Sequence, residues 1–169
     1  MDAINALFSR RSIRAYTDKE ISQEDIETIL RAAMSAPSAG GGNVCHYIVV
    51  KDKDLLKEVL KYHQYAHMLL QANAAIVVVS DPSLEKYPGR WPLNSSASTE
   101  NMLIAATALG IGSCWVGFYP VEERMNGLRK IFNISDNLIP FAIVSLGYPA
   151  ENKKPHGELD SSIIHNNKW

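Results

Sequence analysis

Ala108-Leu109-Gly110-Ile111-Gly112-Ser113-Cys114-Trp115-Val116-Gly117 holds two changes of backbone state within ten residues. The residues before it, from Ser96 to Leu109, have helical propensity and are apolar nearly all round after Glu100-Asn101, the pattern of a buried central helix. Gly110 is placed to stop that helix, and Ser113 to Gly117 reads as a strand. Gly110-Ile111-Gly112 is therefore no dinucleotide-binding fingerprint, because that motif needs a strand before its glycines and a helix after them.

On the N-terminal side, Asp2 precedes Ile4, Leu7 and Phe8 at helical spacing, which predicts a short capped helix ending by Ser9-Arg10. Ser22 caps a second helix with Asp25 three residues on, and Ile26, Ile29, Leu30, Ala33 and Met34 form its apolar face. It stops at Ala36-Pro37, and Ser38-Ala39-Gly40-Gly41-Gly42-Asn43 follows as a loop whose glycines allow close backbone approach. Tyr47 to Val50, Ala75 to Val79 and Phe141 to Leu146 read as further strands, and Asp54 to Tyr62 and Val121 to Phe132 as helices. The irregular stretch from Asp81 to Leu93 reads as a lid carrying Lys86, Tyr87, Arg90 and Trp91. Taken alone, this succession predicts a parallel α/β sheet.

The chain has 169 residues, enough for one domain with a real core, and no repeat or low-complexity segment divides it. With 46% hydrophobic and 21% charged residues, disorder and fibrous architectures are poor readings. A net charge of -1 is too balanced for a general nucleic-acid or anionic-membrane partner. Cys45 and Cys114 fit no disulfide framework or metal spacing, and no apolar run is long enough to cross a bilayer, so a reducing, cytoplasmic location is expected. The five histidines, His46, His63, His67, His156 and His165, share no ligand spacing, and no metal is assigned.

Arg10-Arg11-Ser12-Ile13-Arg14 gathers three guanidinium groups and a hydroxyl within five residues. Arginine forks match phosphate oxygens bidentately, and alternation in an extended segment puts Arg10, Ser12 and Arg14 on one side; a solvated basic turn has the same composition. Ala36-Pro37-Ser38-Ala39-Gly40, Thr99-Glu100-Asn101-Met102-Leu103, the stretch from Ala108 to Gly117 and the closing Ile164-His165-Asn166-Asn167-Lys168-Trp169 follow in order. Together with the basic run they resemble the nitroreductase family of FMN-dependent oxidoreductases, in its short form, over nearly the whole chain. The resemblance implies an α+β fold, a central mixed, mostly antiparallel sheet flanked by helices. It also implies an intertwined homodimer with FMN at the interface, and residues 148–169 forming an arm on the partner subunit.

By the same resemblance Arg10, Arg11 and Ser12 contact the FMN phosphate and ribityl chain. Arg14 meets the pyrimidine edge, where a guanidinium stabilises the charge that develops on hydride acceptance. Pro37, Ser38, Ala39, Gly41 and Asn43 come from the other subunit. Trp115, Val116 and Gly117 run beside the ring, with the Gly117 N–H facing N5. The expected activity is ping-pong oxidation of NADH or NADPH with reduction of a nitroaromatic, quinone or similar small-molecule acceptor. The alternatives are other flavin chemistry, such as dehalogenation or flavin fragmentation, and a non-catalytic flavin-binding module. Gly41, Asn43, Val44 and Cys45 stand where relatives commonly carry Asn and Gln-Pro-Trp, and Glu158 stands where an arginine often meets the phosphate. A carboxylate there repels phosphate, so Glu158 must point away, or Lys153, Lys154 or Lys168 must compensate.

Overall fold

The computed structural model of the chain describes residues 1–155 and 157–169; His156 lies outside the described residues. Five helices, α1 (Ala3–Ser9), α2 (Gln23–Met34), α3 (Lys53–Val59), α4 (Trp91–Ala108) and α5 (Glu122–Phe132), flank four strands among the described residues. The strands are β1 (Cys45–Val50), β2 (Ala74–Ser80), β3 (Gly112–Gly117) and β4 (Ile139–Gly147), in the order β1-β2-β4-β3. Each neighbouring pair is antiparallel, and one isolated parallel bridge joins Ser12 to Ser113.

The parallel sheet expected from the helix–strand alternation is thus corrected to an antiparallel one. Parallel neighbours require a full crossover, but a helix between two strands does not force one. The seven-residue α3 and the turns behind it return the chain beside β1 in the opposite direction. The misreading has a physical source: β2 is buried at every position, so its sequence lacks the polar-out alternation of a one-sided antiparallel sheet.

Alternation survives in where the side chains go. Ala75, Val77 and Val79 of β2 join one core with Leu56, Val59, Leu69, Phe118 and Leu128, whereas Ala74, Ile76 and Val78 join another with Ile26, Ile29, Met102 and Leu103. Pro140 sits inside β4 opposite the register shift between Val78 and Val79, where the ladder can spare an N–H donor.

The helix caps follow the sequence. Asp2 accepts from the Asn5 N–H at 3.0 Å, and Ser22 accepts from the Asp25 N–H at 3.0 Å. At the end of α4, Gly110 takes φ +74 and the Ile111 N–H reaches back to the Ala106 carbonyl at 2.8 Å, the closure a left-handed residue permits. The lid is shorter than expected, since α4 starts at Trp91 with Pro92 in its first turn. Trp91 is buried, its ring 4.7 Å from that of Tyr119.

Gly127 lets the turn after α3 dock on α5, because a Cβ there would stand 2.2 Å from Tyr62 Cγ. Gly127→Ala should therefore lower stability by about 2 kcal/mol through overpacking, against a helix-propensity gain of about 1 kcal/mol. The urea midpoint reads the result; a rise would show that Tyr62 moves aside freely.

Candidate active site

The basic segment lies flat on the sheet because two glycines face each other there. Gly112 and Gly147 are register partners at the end of β3 and β4; a Cβ on Gly112 would meet Ile13 Cγ2 at 2.8 Å, and one on Gly147 would meet Tyr16 Cγ at 2.6 Å. Tyr16 donates its hydroxyl to the Ile13 carbonyl at 2.6 Å and lies 2.7 Å from Ser145 Oγ. Burial pushes the Tyr16 hydroxyl well above its ordinary pKa, so it remains a donor. The Ile13 N–H bonds the Ser113 carbonyl at 2.9 Å, and the Ala150 N–H bonds the Ala15 carbonyl at 2.9 Å.

Two further residues complete this clamp: Glu151, which the motifs did not point to, and Lys153, expected only as one of three lysines that could compensate for Glu158. Glu151 accepts from the Arg14 backbone N–H at 2.5 Å, and Lys153 donates to the Ser12 carbonyl at 2.6 Å while pairing with Glu151 at 3.2 Å. The Arg14 N–H, helped by Lys153, holds the Glu151 carboxyl below its usual range. Glu151 had no local signal, because its partner lies 137 positions away in sequence.

The arginines do not converge on one point within the chain. Arg10 pairs with Glu100 on α4 at 3.3 Å. Arg11 donates Nε to the Lys154 carbonyl at 2.7 Å, while its Nη2 is buried with no hydrogen-bond partner among the described residues. It lines a cavity of about 230 Å³ with Ser9, Ile13, Gly110 and Lys153. Alternation holds, but it places Ser9, Arg11 and Ile13 there rather than Arg10, Ser12 and Arg14. The exposed Arg14 side chain lines a separate cleft of about 530 Å³ with Tyr65, His67, Met68 and Gln71. Glu158 is exposed and lines neither space, whereas Lys153 sets a cation at the Arg11 cavity.

The glycine loop is gathered in its own place. Pro37, Ser38, Gly41 and Asn43 line a cavity of about 120 Å³ with Cys45 and Asn94. The Ala39 N–H bonds Asn94 Oδ1 at 3.1 Å, and the Cys45 N–H bonds Asn43 Oδ1 at 3.1 Å. The lid accounts for two of the three glycines: a Cβ on Gly40 would stand 2.6 Å from Lys86 Cδ, and one on Gly42 would stand 3.0 Å from the Leu84 carbonyl. Gly41, at φ +77, faces open space.

At the end of β3, Val116 is buried and Trp115 half-buried, its ring 5.7 Å from Phe141. Burial raises the Cys114 thiol, so it is a packed, unreactive group. Gly117 is exposed, and a Cβ there would meet nothing within 4 Å. Its backbone is open to a flat ligand. The buried, unpartnered Arg11 nitrogen suits a phosphate oxygen, and Arg11 and Lys153 together outnumber Glu151, the carboxylate that also lines the cavity, so the residues present fit the phosphate of FMN.

Known proteins share this fold. The model of the nitroreductase family matches residues 7–75 and 61–148. An Archaeoglobus fulgidus protein provisionally named an NADH dehydrogenase/NAD(P)H nitroreductase is 48% identical, over 99% of each chain. Among solved structures, an FMN-dependent nitroreductase of Clostridium difficile superposes with TM-score 0.91 at 30% identity, covering 98% of this chain and 99% of that one. A provisionally named nitroreductase of Desulfovibrio desulfuricans, solved in complex with FMN, superposes with TM-score 0.85 at 26% identity, covering 100% of this chain and 98% of that one.

Proposed function

The chain belongs to the nitroreductase family, and from that premise we propose that this FMN-dependent NAD(P)H oxidoreductase reduces nitroaromatic, quinone or similar small acceptors at a homodimer interface. The observation that carries the reading is the buried Arg11 Nη2 without a partner among the described residues, in a cavity it shares with Lys153. An unpaired buried guanidinium nitrogen is costly, and a phosphate oxygen relieves that cost. Held there, FMN would supply the redox chemistry for a ping-pong exchange between NADH or NADPH and the acceptor.

The chain's own residues bind and orient. Arg11, with Lys153, holds the phosphate, and Arg10 and Ser12, on the other side of the segment, are left to the ribityl chain. Arg14 sets a fixed positive charge at the pyrimidine edge, and the Gly117 N–H, with Trp115 and Val116 beside it, addresses N5. Pro37, Ser38, Ala39, Gly41 and Asn43 of the partner subunit cover the opposite side. The test is an absorbance titration with FMN followed by anaerobic NADH and NADPH. Bound flavin that bleaches supports the proposal; flavin that binds but never bleaches, or a protein that binds none, rejects it.

The homodimer is part of the proposal. Ile4, Leu7 and Phe8 of α1, and Leu159, Ile163 and Trp169 of the tail, are large exposed apolar side chains that a second subunit would cover. Removing residues 158–169 should weaken self-association by about tenfold or more, since tryptophan anchors dominate interfaces. Sedimentation equilibrium reads this, and an unchanged dimer rejects the tail's role. A cytoplasmic location belongs to the same proposal, supported by two free, buried cysteines.

A further inference from the structure

His63 is a buried titratable side chain that the binding scheme above leaves unused. It lies in the turn after α3, where its own N–H bonds the Val59 carbonyl at 3.1 Å and the neighbouring Tyr62 packs on Gly127. Its ring sits 5.1 Å from that of Phe118. Two polar contacts define its tautomer. The Tyr65 backbone N–H donates to Nδ1 at 3.3 Å, so Nδ1 carries no proton and Nε2 does. Nε2 then donates to the Gly117 carbonyl at 3.1 Å. With Nε2 protonated, the Arg124 Nη1 that stands 3.3 Å from it meets it donor to donor and makes no hydrogen bond, and burial together with that charge holds the imidazole below its ordinary pKa.

One ring thus ties together two separate parts of the site. Tyr65 is a wall of the Arg14 cleft, and Gly117 is the open end of β3. Gly117 needs such a tie because it has no side chain to pack and its Cβ direction is empty. Immediately beyond it, Phe118 and Tyr119 both donate to the single Phe141 carbonyl, at 3.1 and 3.0 Å.

We propose that His63 is a positioning residue: its Nε2–H fixes the peptide after Gly117 and its Nδ1 fixes Tyr65, so that the Gly117 backbone and the Arg14 cleft hold one mutual orientation. The inference rests on the reading that Gly117 lies against the flavin ring. An imidazole performs this task because it presents a donor and an acceptor on opposite edges of a rigid plane. Misplacement of the Gly117 backbone slows hydride transfer without loosening the phosphate end, which is held by other residues.

The experiment compares His63→Leu, which removes donor and acceptor, with His63→Gln, whose side-chain amide restores a donor near Nε2. In cofactor-free protein, the ¹H–¹⁵N resonances of Gly117 and Phe118 should shift in His63→Leu and their exchange should quicken about fivefold, the size expected for one hydrogen bond. The amides of Ile26 and Ile29 on α2 should not change. In FMN-loaded protein, the reduction rate at saturating NADH should fall about fivefold with the half-saturating NADH concentration unchanged, and His63→Gln should recover to within about twofold of the parent. Should His63→Leu fail to fold, His63→Phe, which keeps a ring against Phe118 without a donor, makes the same comparison. A donor-free variant with parental Gly117 resonances and parental rate overturns the inference alone, as does a Gln variant that falls as far as the donor-free one. A parent protein that cannot reduce bound FMN overturns the functional reading, and with it the purpose assigned to His63.

Discussion

Arg14→Ala should leave the fold intact and slow anaerobic reduction of bound FMN by about a hundredfold, the lower end of what removing one electrostatic stabiliser from a developing charge costs. The fold survives because the Arg14 side chain is exposed and its one hydrogen bond among the described residues, from Nη1 to the Ser12 carbonyl, is 3.4 Å long. The backbone N–H that Glu151 holds is unaffected by the substitution. Arg14→Lys keeps a charge but loses the planar fork, so it should fall between the two, about tenfold below the parent. Stopped-flow mixing with NADH gives the rates, and a melting temperature within about 2 °C of the parent shows that stability is not the cause. Parental rates in Arg14→Ala would remove this residue from the site.

Gly147→Ala should cost about 3 kcal/mol of stability and weaken FMN binding as well. The added methyl would stand 2.6 Å from both Cγ and Cδ1 of Tyr16, and 2.8 Å from its Cβ, so the ring cannot escape by rotating its far end. Overpacking of this kind costs about 1–3 kcal/mol. Moving Tyr16 also breaks its contacts with the Ile13 carbonyl and Ser145, and an unpaired buried group adds about 1–3 kcal/mol. Because Tyr16 anchors the segment that carries Arg10 to Arg14, the binding groups shift with it. Urea unfolding with an unchanged slope measures the loss. Gly117→Ala is the control: its Cβ meets open space, so stability should hold within about 0.5 kcal/mol while FMN binding weakens. A Gly147→Ala protein as stable as the parent would show that Tyr16 does not clamp the segment.

Much of the framework was legible residue by residue. Asp2, Ser22 and Gly110 mark helix ends because caps and left-handed closures are made by neighbours in sequence. The four strands fell where apolar runs lie, within two residues at every end. The resemblance added what local pattern lacks, a mostly antiparallel sheet, and the three antiparallel pairs agree with it. Element reading alone failed on direction, since a strand covered on both faces looks the same whichever way its neighbour runs.

By itself, then, the sequence determined which segments become helix or strand, where they stop, and that a basic run, a glycine loop and a tryptophan-bearing strand belong to one family pattern. Only the tertiary structure decided that Arg11 rather than Arg10 shares a cavity with Lys153, that Glu151 holds the Arg14 backbone, that the lid packs on Gly40 and Gly42, and that His63 joins Tyr65 to Gly117. The division has one physical cause. Backbone conformation and capping are set by interactions a few residues long, whereas the site is made of contacts such as Arg14 with Glu151 and His63 with Gly117, whose partners lie 137 and 54 positions apart and meet only once both faces of the sheet are covered.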